Sequence, residues 1–193
     1  MDRQRPYPQS QGASTSALAA ALAAAEPSAG ATRVLAIDGR SGSGKTTIAH
    51  AIARQIDAPL ISLEDLYGGW DGLEHGIELV ATAVLEPLAR GEAATVPRYD
   101  WGAREWGEPW MLEPPGLLVI EGVGAGARSL APYSSVLAWL EMPEEDRRAR
   151  ALARDGDLYA PHWERWAAQE EAYIEREGVP ERANIVIAVG AHP

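Results

Sequence analysis

Residues 39–47 read GRSGSGKTT, and no other stretch limits the possible folds of this chain as strongly. Gly39, Gly44, Lys45 and Thr46 satisfy the spacing G-x-x-x-x-G-K-[ST]. The apolar run RVLAID (33–38) ahead of it has the character of a strand, and Ile48, Ile52 and Ile56 behind it form one stripe of an amphipathic helix. A glycine-rich loop between a strand and a helix can curl its backbone N–H groups around a phosphate, with the positive end of the helix behind them. The spacing therefore predicts a nucleotide phosphate site built from Gly39, Arg40, Ser41, Gly42, Ser43, Gly44, Lys45, Thr46 and Thr47. Lys45 is the one lysine among 17 basic residues. A compact ammonium on a flexible stem fits a ring of amides and reaches the β- and γ-phosphates, where arginine's planar fork is too bulky. Thr46 offers a hydroxyl to Mg²⁺.

A length of 193 residues suits one compact domain. With no phenylalanine, aliphatic residues and seven tryptophans must fill the core. The lack of cysteine excludes disulfides, thiolate metal sites and cysteine catalysis. A net charge of −11 argues against a broad nucleic-acid-binding face, so an anionic ligand must be held locally. Residues 1–31 are polar and then Ala-rich. They have the outline of a weak secretory signal, but alanine is barely hydrophobic and the leucines are few. The expectation is a disordered or low-complexity tail with a short helix, a domain over 32–193, no membrane span and a cytoplasmic protein.

Further strands are expected at 59–63, 116–122, 135–142 and 183–189. Helices are expected at 76–90, with Pro87 as a distortion and Gly91 as the stop, from Pro143 to Asp155, and at 161–177. Strands alternating with helices predict a parallel sheet covered on both faces, an α/β fold. No internal repeat is visible, and no His/Asp/Glu cluster has the spacing of a protein-only metal site.

Among nucleotide-binding proteins with this loop, Ras-like GTPases need a second lysine in N-K-x-D, which this chain lacks. Large motor-type ATPases end the third strand in Asp, whereas here it ends in Glu121-Gly122. A small-molecule kinase needs a carboxylate at the acceptor hydroxyl, a metal and arginines over the transferred group. Glu64 and Asp65 follow the second strand, at the sheet edge where ligands bind in open α/β folds.

LEDLYGGWDGL (63–73) resembles the D-x-F-Y segment of the uridine kinase group, which includes the nicotinamide riboside kinases. There the acid three residues before the Tyr is the catalytic base. Counted back from Tyr67, that position is Glu64, with Asp65 adjacent as the alternative. VIEGVGAG (119–126) is similar to the family's F-E-G-I-L segment and implies that Glu121 lies near Mg²⁺. EDRRARALARD (145–155) resembles the stretch that enters the lid, placing Arg147, Arg150, Arg154 and Asp155 on family positions. RYDW (98–101) is similar to the Y-D-F that lies against the nucleoside, which implies substrate contacts for Arg98, Tyr99 and Asp100 beside Tyr67 and Trp70.

The departures are as informative. Arg104 stands where the family has a pyrimidine-reading His, Trp106 replaces an Arg, and GDLYAPHWERW (156–166) replaces the lid's R-G-R. Trp70, Trp101, Trp106 and Trp110 fall where an acceptor pocket is expected, as core or as stacking surfaces. His162 is expected at the surface. The resemblance implies a P-loop kinase fold with a five-stranded parallel sheet in the order 2-3-1-4-5, helices on both faces and a helical lid. Its implied cofactors are ATP and Mg²⁺, and its implied partner is a small-molecule acceptor. That acceptor is a nucleoside, a sugar or polyol, or a phosphorylated metabolite anchored by Arg104. A regulatory ATP-binding module without an acceptor is the remaining alternative.

Overall fold

The computed structural model describes residues 11–155 and 159–189, the side chains of 11–13, 154 and 155 excepted. Helix α1 (Gln11–Ala24) precedes β1 (Arg33–Gly39), which enters the glycine loop and then α2 (Lys45–Gln55). Next come β2 (Leu60–Ser62), α3 (Leu73–Leu79) and α4 (Glu86–Ala89). The short strands β3 (Ala94–Val96), β4 (Tyr99–Asp100), β5 (Glu105–Trp106) and β6 (Trp110–Leu112) follow. Then β7 (Leu117–Glu121), β8 (Val136–Glu141), α5 (Glu144–Asp155), α6 (Trp163–Glu177), α7 (Val179–Arg182) and β9 (Ile185–Ala188) complete the chain.

Five of the strands form one sheet in the order β2-β7-β1-β8-β9, all neighbours parallel. Counted along the chain, that is the expected order 2-3-1-4-5. β1, β7 and β8 are buried almost throughout, as a strand covered on both faces must be. One apolar cluster, with α3, α4 and α6, covers one face; the other gathers Ile48 and Ile52 of α2 with Leu35, Ile37 and Leu140 of the sheet.

The boundary expected at residue 31 falls inside the packed unit. Leu18 and Leu22 of α1 are fully buried in the second cluster, against α2 and the sheet. Residues 1–10 of the expected tail lie outside the described residues. An Ala-rich helix is mildly apolar all round, so no face stands out in the sequence, yet two leucines one turn apart suffice to dock it.

The helix expected at 76–90 begins earlier, at Leu73, and α3 joins α4 through a π-helical stretch, Val80–Leu85. Pro87 lies in the first turn of α4. Having no N–H and a ring that crowds the preceding turn, it cannot continue an α-helical ladder, and the Glu86 N–H bonds back to the Ala81 carbonyl instead. Between α4 and β7, β3 pairs β6 and β4 pairs β5, both antiparallel, as a nested hairpin that hydrophobic periodicity did not reveal.

Candidate active site

Register places the site. Ser62 of β2 and Ile37 of β1 both pair with Glu121 of β7, so three strand ends meet beside the glycine loop at the carboxyl edge of the sheet. Gly42 (φ +81°) and Gly44 (φ +92°) give the loop its curl. A Cβ on Gly42 would stand 2.2 Å from the Arg147 carbonyl, so no other residue fits where α5 lies against the loop. Among the described residues, the N–H groups of Gly44, Lys45, Thr46 and Thr47 have no acceptor, as expected for a helix start aimed at an anion. The Lys45 ammonium, nearly buried, donates to the Arg40 carbonyl at 3.0 Å within the same loop. Among the described residues the buried Ser43 Oγ has no hydrogen-bond partner. These groups suit a polyphosphate.

A cavity of about 270 Å³ is lined by Gly44, Lys45, Thr46 and Arg150 together with Glu64, Tyr67, Trp70, Trp101, Tyr159 and Trp166. Glu121, 2% exposed, also lines it. The Ser62 hydroxyl donates to its Oε1 at 2.7 Å, and Thr46 Oγ1 stands 3.4 Å from both carboxylate oxygens. A carboxylate and two hydroxyls are hard oxygen donors, the set Mg²⁺ selects. Among the described residues no group of three or more His, Cys, Asp or Glu could hold a metal ion.

The acidic pair divides. Glu64 lines the cavity, while Asp65 does not; Asp65 is half-buried, and burial raises its carboxyl above the ordinary range against the opposing charge of Arg98. Tyr67 is buried, with its ring 4.9 Å from that of Trp166 and its hydroxyl donating to the Val123 carbonyl at 2.7 Å. Burial and then the Glu121 charge push its phenol up, so it stays protonated.

The aromatic wall is continuous. Trp70 stacks on Tyr159 (5.2 Å, 10°) and on His162 (4.5 Å, 16°), and its centroid lies 4.9 Å from that of Trp101. Trp101 Nε1 donates to the Glu64 carbonyl at 3.0 Å, tying the hairpin to the acid-bearing turn. His162, expected at the surface, is a packed member of this wall.

Other expected residues lie apart from the cavity. Arg104 occupies the exposed turn between β4 and β5, in the left-handed region (φ +59°), with its N–H donating to the Asp100 carbonyl. The Asp100 carboxylate caps the same turn through the Ala103 and Gly102 N–H groups, which hold its pKa down. Arg98 is exposed, and Tyr99 packs edge-on against Trp101 and Trp106. Trp106 and Trp110 are among the exposed large apolar residues. Of the lid arginines, Arg150 lines the cavity, with a terminal nitrogen 3.8 Å from where a Cβ on Gly44 would lie. Arg147 is 6% exposed and absent from the lining; it donates through Nε to the Met142 carbonyl at 3.1 Å and bonds the Ser41 carbonyl at 3.4 Å. Burial lowers its pKa. The side chains of Arg154 and Asp155, and residues 156–158, lie outside the described residues.

Sequence reasoning passed over Asp38, Ser62, Trp166 and Glu170. Asp38, fully buried at the end of β1, accepts from the Gly39 N–H, the Gly126 N–H and the Tyr173 hydroxyl; burial pushes it up to about 6 despite these bonds. A signal for α6 existed: Trp163, Trp166, Glu170 and Tyr173 recur at steps of three, four and three.

No family model matches the chain. It is 31% identical over 157 residues to a cytidylate kinase of Pyrobaculum arsenaticum, covering 80% of this chain and 74% of that one. It is 30% identical over 141 residues to a uridine kinase of Lactobacillus johnsonii, covering 63% and 67%. A cytidylate kinase of Pseudomonas aeruginosa is 32% identical over 133 residues, and the chain spans 57% of that relative's length. Among solved structures, one described as a possible uridine kinase from Bacillus stearothermophilus superposes with a TM-score of 0.67 at 19% identity, covering 90% of this chain and 96% of the other. A putative fructose transport system kinase from Silicibacter sp. TM1040 gives 0.59 at 18%, covering 93% and 99%. These two likenesses concern the fold.

Proposed function

This chain belongs to the P-loop small-molecule kinases, and we propose that it transfers the γ-phosphoryl group of Mg·ATP to a hydroxyl of a small, uncharged acceptor, a nucleoside or a polyhydroxyl compound of similar size. One observation carries the reading: a single cavity is lined both by the phosphate loop and by the carboxylate-bearing residue Glu64 with several aromatic side chains.

When bound, Mg·ATP supplies the phosphoryl group and the metal's charge. The chain's part is to bind, orient and take up a proton. The free loop amides and Lys45 would hold the phosphates, with Lys45 leaving the Arg40 carbonyl to do so. Thr46, Glu121 and Ser62 would face the metal side, the last by fixing the Glu121 carboxylate. Arg150 would meet charge over the transferred group. Glu64 is our choice for the general base, since it lines the cavity and Asp65 does not. Trp70, Trp101, Tyr159 and Trp166 would enclose the acceptor and keep water out.

The charge distribution narrows the acceptor. Among the described lining residues Lys45 and Arg150 are the cations, and the phosphates need both. A phosphorylated acceptor would bring a dianion that has to share those two cations with the nucleotide, at a substantial desolvation cost. Arg104, which could have anchored one, is out on the hairpin turn.

An ADP-release screen over nucleosides, nucleoside monophosphates, sugars and polyols tests this. Turnover is expected with an uncharged compound. Preferred turnover of a monophosphate refutes the acceptor class, and slow hydrolysis indifferent to every acceptor refutes the kinase in favour of a regulatory ATP-binding module.

A further inference from the structure

We infer that α6 positions the phosphate loop and that Glu170 is the residue through which it does so; the inference rests on the nucleotide reading above. The buried stripe of α6 ends on the loop and its root. Glu170 Oε1 accepts both the Ser41 N–H and the Trp166 indole N–H, each at 2.8 Å. The same indole nitrogen stands 3.0 Å from Ser41 Oγ. One turn further along α6, the Tyr173 hydroxyl donates to Asp38 at 2.8 Å, and the other oxygen of Asp38 accepts the Gly39 N–H at 2.6 Å. At the rim Arg40 forms an ion pair with Glu171 at 2.6 Å.

A carboxylate that is 1% exposed is expensive to bury, and an apolar residue on the same stripe would have packed α6 at least as well. What Glu170 does that an apolar residue cannot is hold a backbone amide of the loop. The amide it takes belongs to the first half of the loop, whereas the N–H groups of Gly44 to Thr47 keep no acceptor among the described residues. The clamp therefore fixes the backbone on one side and leaves the other side open to an anion. A loop this rich in glycine samples many conformations when untethered. Tethering moves the loss of that entropy from nucleotide binding to folding, which tightens binding without adding a contact to the nucleotide. Glu170 does not line the cavity, so it is a positioning residue. Trp166 does line it, with its ring against Tyr67. One side chain thus belongs both to the acceptor wall and to the clamp on the loop.

The test uses the full chain with Mg·ATP as the calorimetric probe, and amide hydrogen exchange of residues 39–46 without nucleotide. Glu170→Ala should speed exchange in that segment and weaken Mg·ATP binding by about tenfold, as for a lost hydrogen bond to a charged group. Glu170→Gln should restore most of both, because the two hydrogen bonds fall on one oxygen, which a carboxamide also supplies. Trp166→Phe keeps an aromatic ring, though a smaller one, but removes the N–H, and should fall between the two; it also serves if Glu170→Ala does not fold. Unchanged exchange or unchanged affinity in folded Glu170→Ala and Trp166→Phe overturns the clamp, and so does a Gln variant as weak as the Ala variant. Failure of the unsubstituted chain to bind Mg·ATP overturns the nucleotide reading, and that result is separate from the exchange experiment, which contains no nucleotide.

Discussion

Helix α1 should be an integral part of the fold, and Leu22 and Leu18 make this measurable. Their side chains are 1% and 0% exposed, packed in the cluster that includes Ile48 and Ile52 of α2 and Leu35 and Ile37 of β1. Truncating a fully buried leucine removes its transfer free energy and leaves a cavity that neighbours fill only in part, at about 3 kcal/mol per site. On the scale of about 2–4 °C per kcal/mol for a domain of 150–250 residues, Leu22→Ala should lower Tm by roughly 6–12 °C. Urea unfolding of the full chain, followed by far-UV circular dichroism, gives the free energy directly. The two leucines are one turn apart and share neighbours, so the double variant need not show the sum of the single losses. A loss below about 1 kcal/mol for either single variant refutes the packing argument. It would restore the view of residues 1–31 as a low-complexity tail outside the domain.

The carboxylates at the cavity should separate chemistry from binding: Glu64→Gln lowers kcat by at least about a hundredfold with Mg·ATP affinity nearly intact, while Asp65→Asn has a small effect. If Asp65→Asn carries the loss, the assignment of the base is off by one residue. Lys45→Arg should be almost as inactive as Lys45→Ala, because the loop admits a compact ammonium and not a guanidinium; near-native turnover by the Arg variant refutes that reading. Stability should carry the imprint of Asp38. Burial raises its folded pKa from 3.8 to about 6, so its favourable contribution is complete below the unfolded value and is lost as pH rises through about 6. The unfolding free energy of the chain relative to Asp38→Asn should therefore shrink by about 2 kcal/mol between about pH 4 and pH 7. A flat difference across that range refutes the assignment.

The sequence by itself determined the parts whose physics is local. The loop at 39–47 needs particular residues at fixed spacing, and the strand before it and helix after it announce themselves by period, so the phosphate site and the α/β alternation were legible. The strand order came through the family resemblance, and β2-β7-β1-β8-β9 agrees with it. What tertiary structure decided concerns contacts between residues far apart in the chain. Whether Glu64 or Asp65 meets the cavity depends on how the short turn Leu63–Leu66 sits at the end of β2, which no spacing encodes. Arg147 and Arg150 are one helical turn apart, yet one is buried behind the loop and the other faces the cavity, because α5 packs on Gly42. Arg104, matched to a substrate-reading position, closes a four-residue turn that leaves it exposed. Glu170 and Trp166 reach the loop from about 125 residues away. A hydrogen bond across that separation leaves no periodic trace, because its geometry exists once the sheet and α6 have packed together.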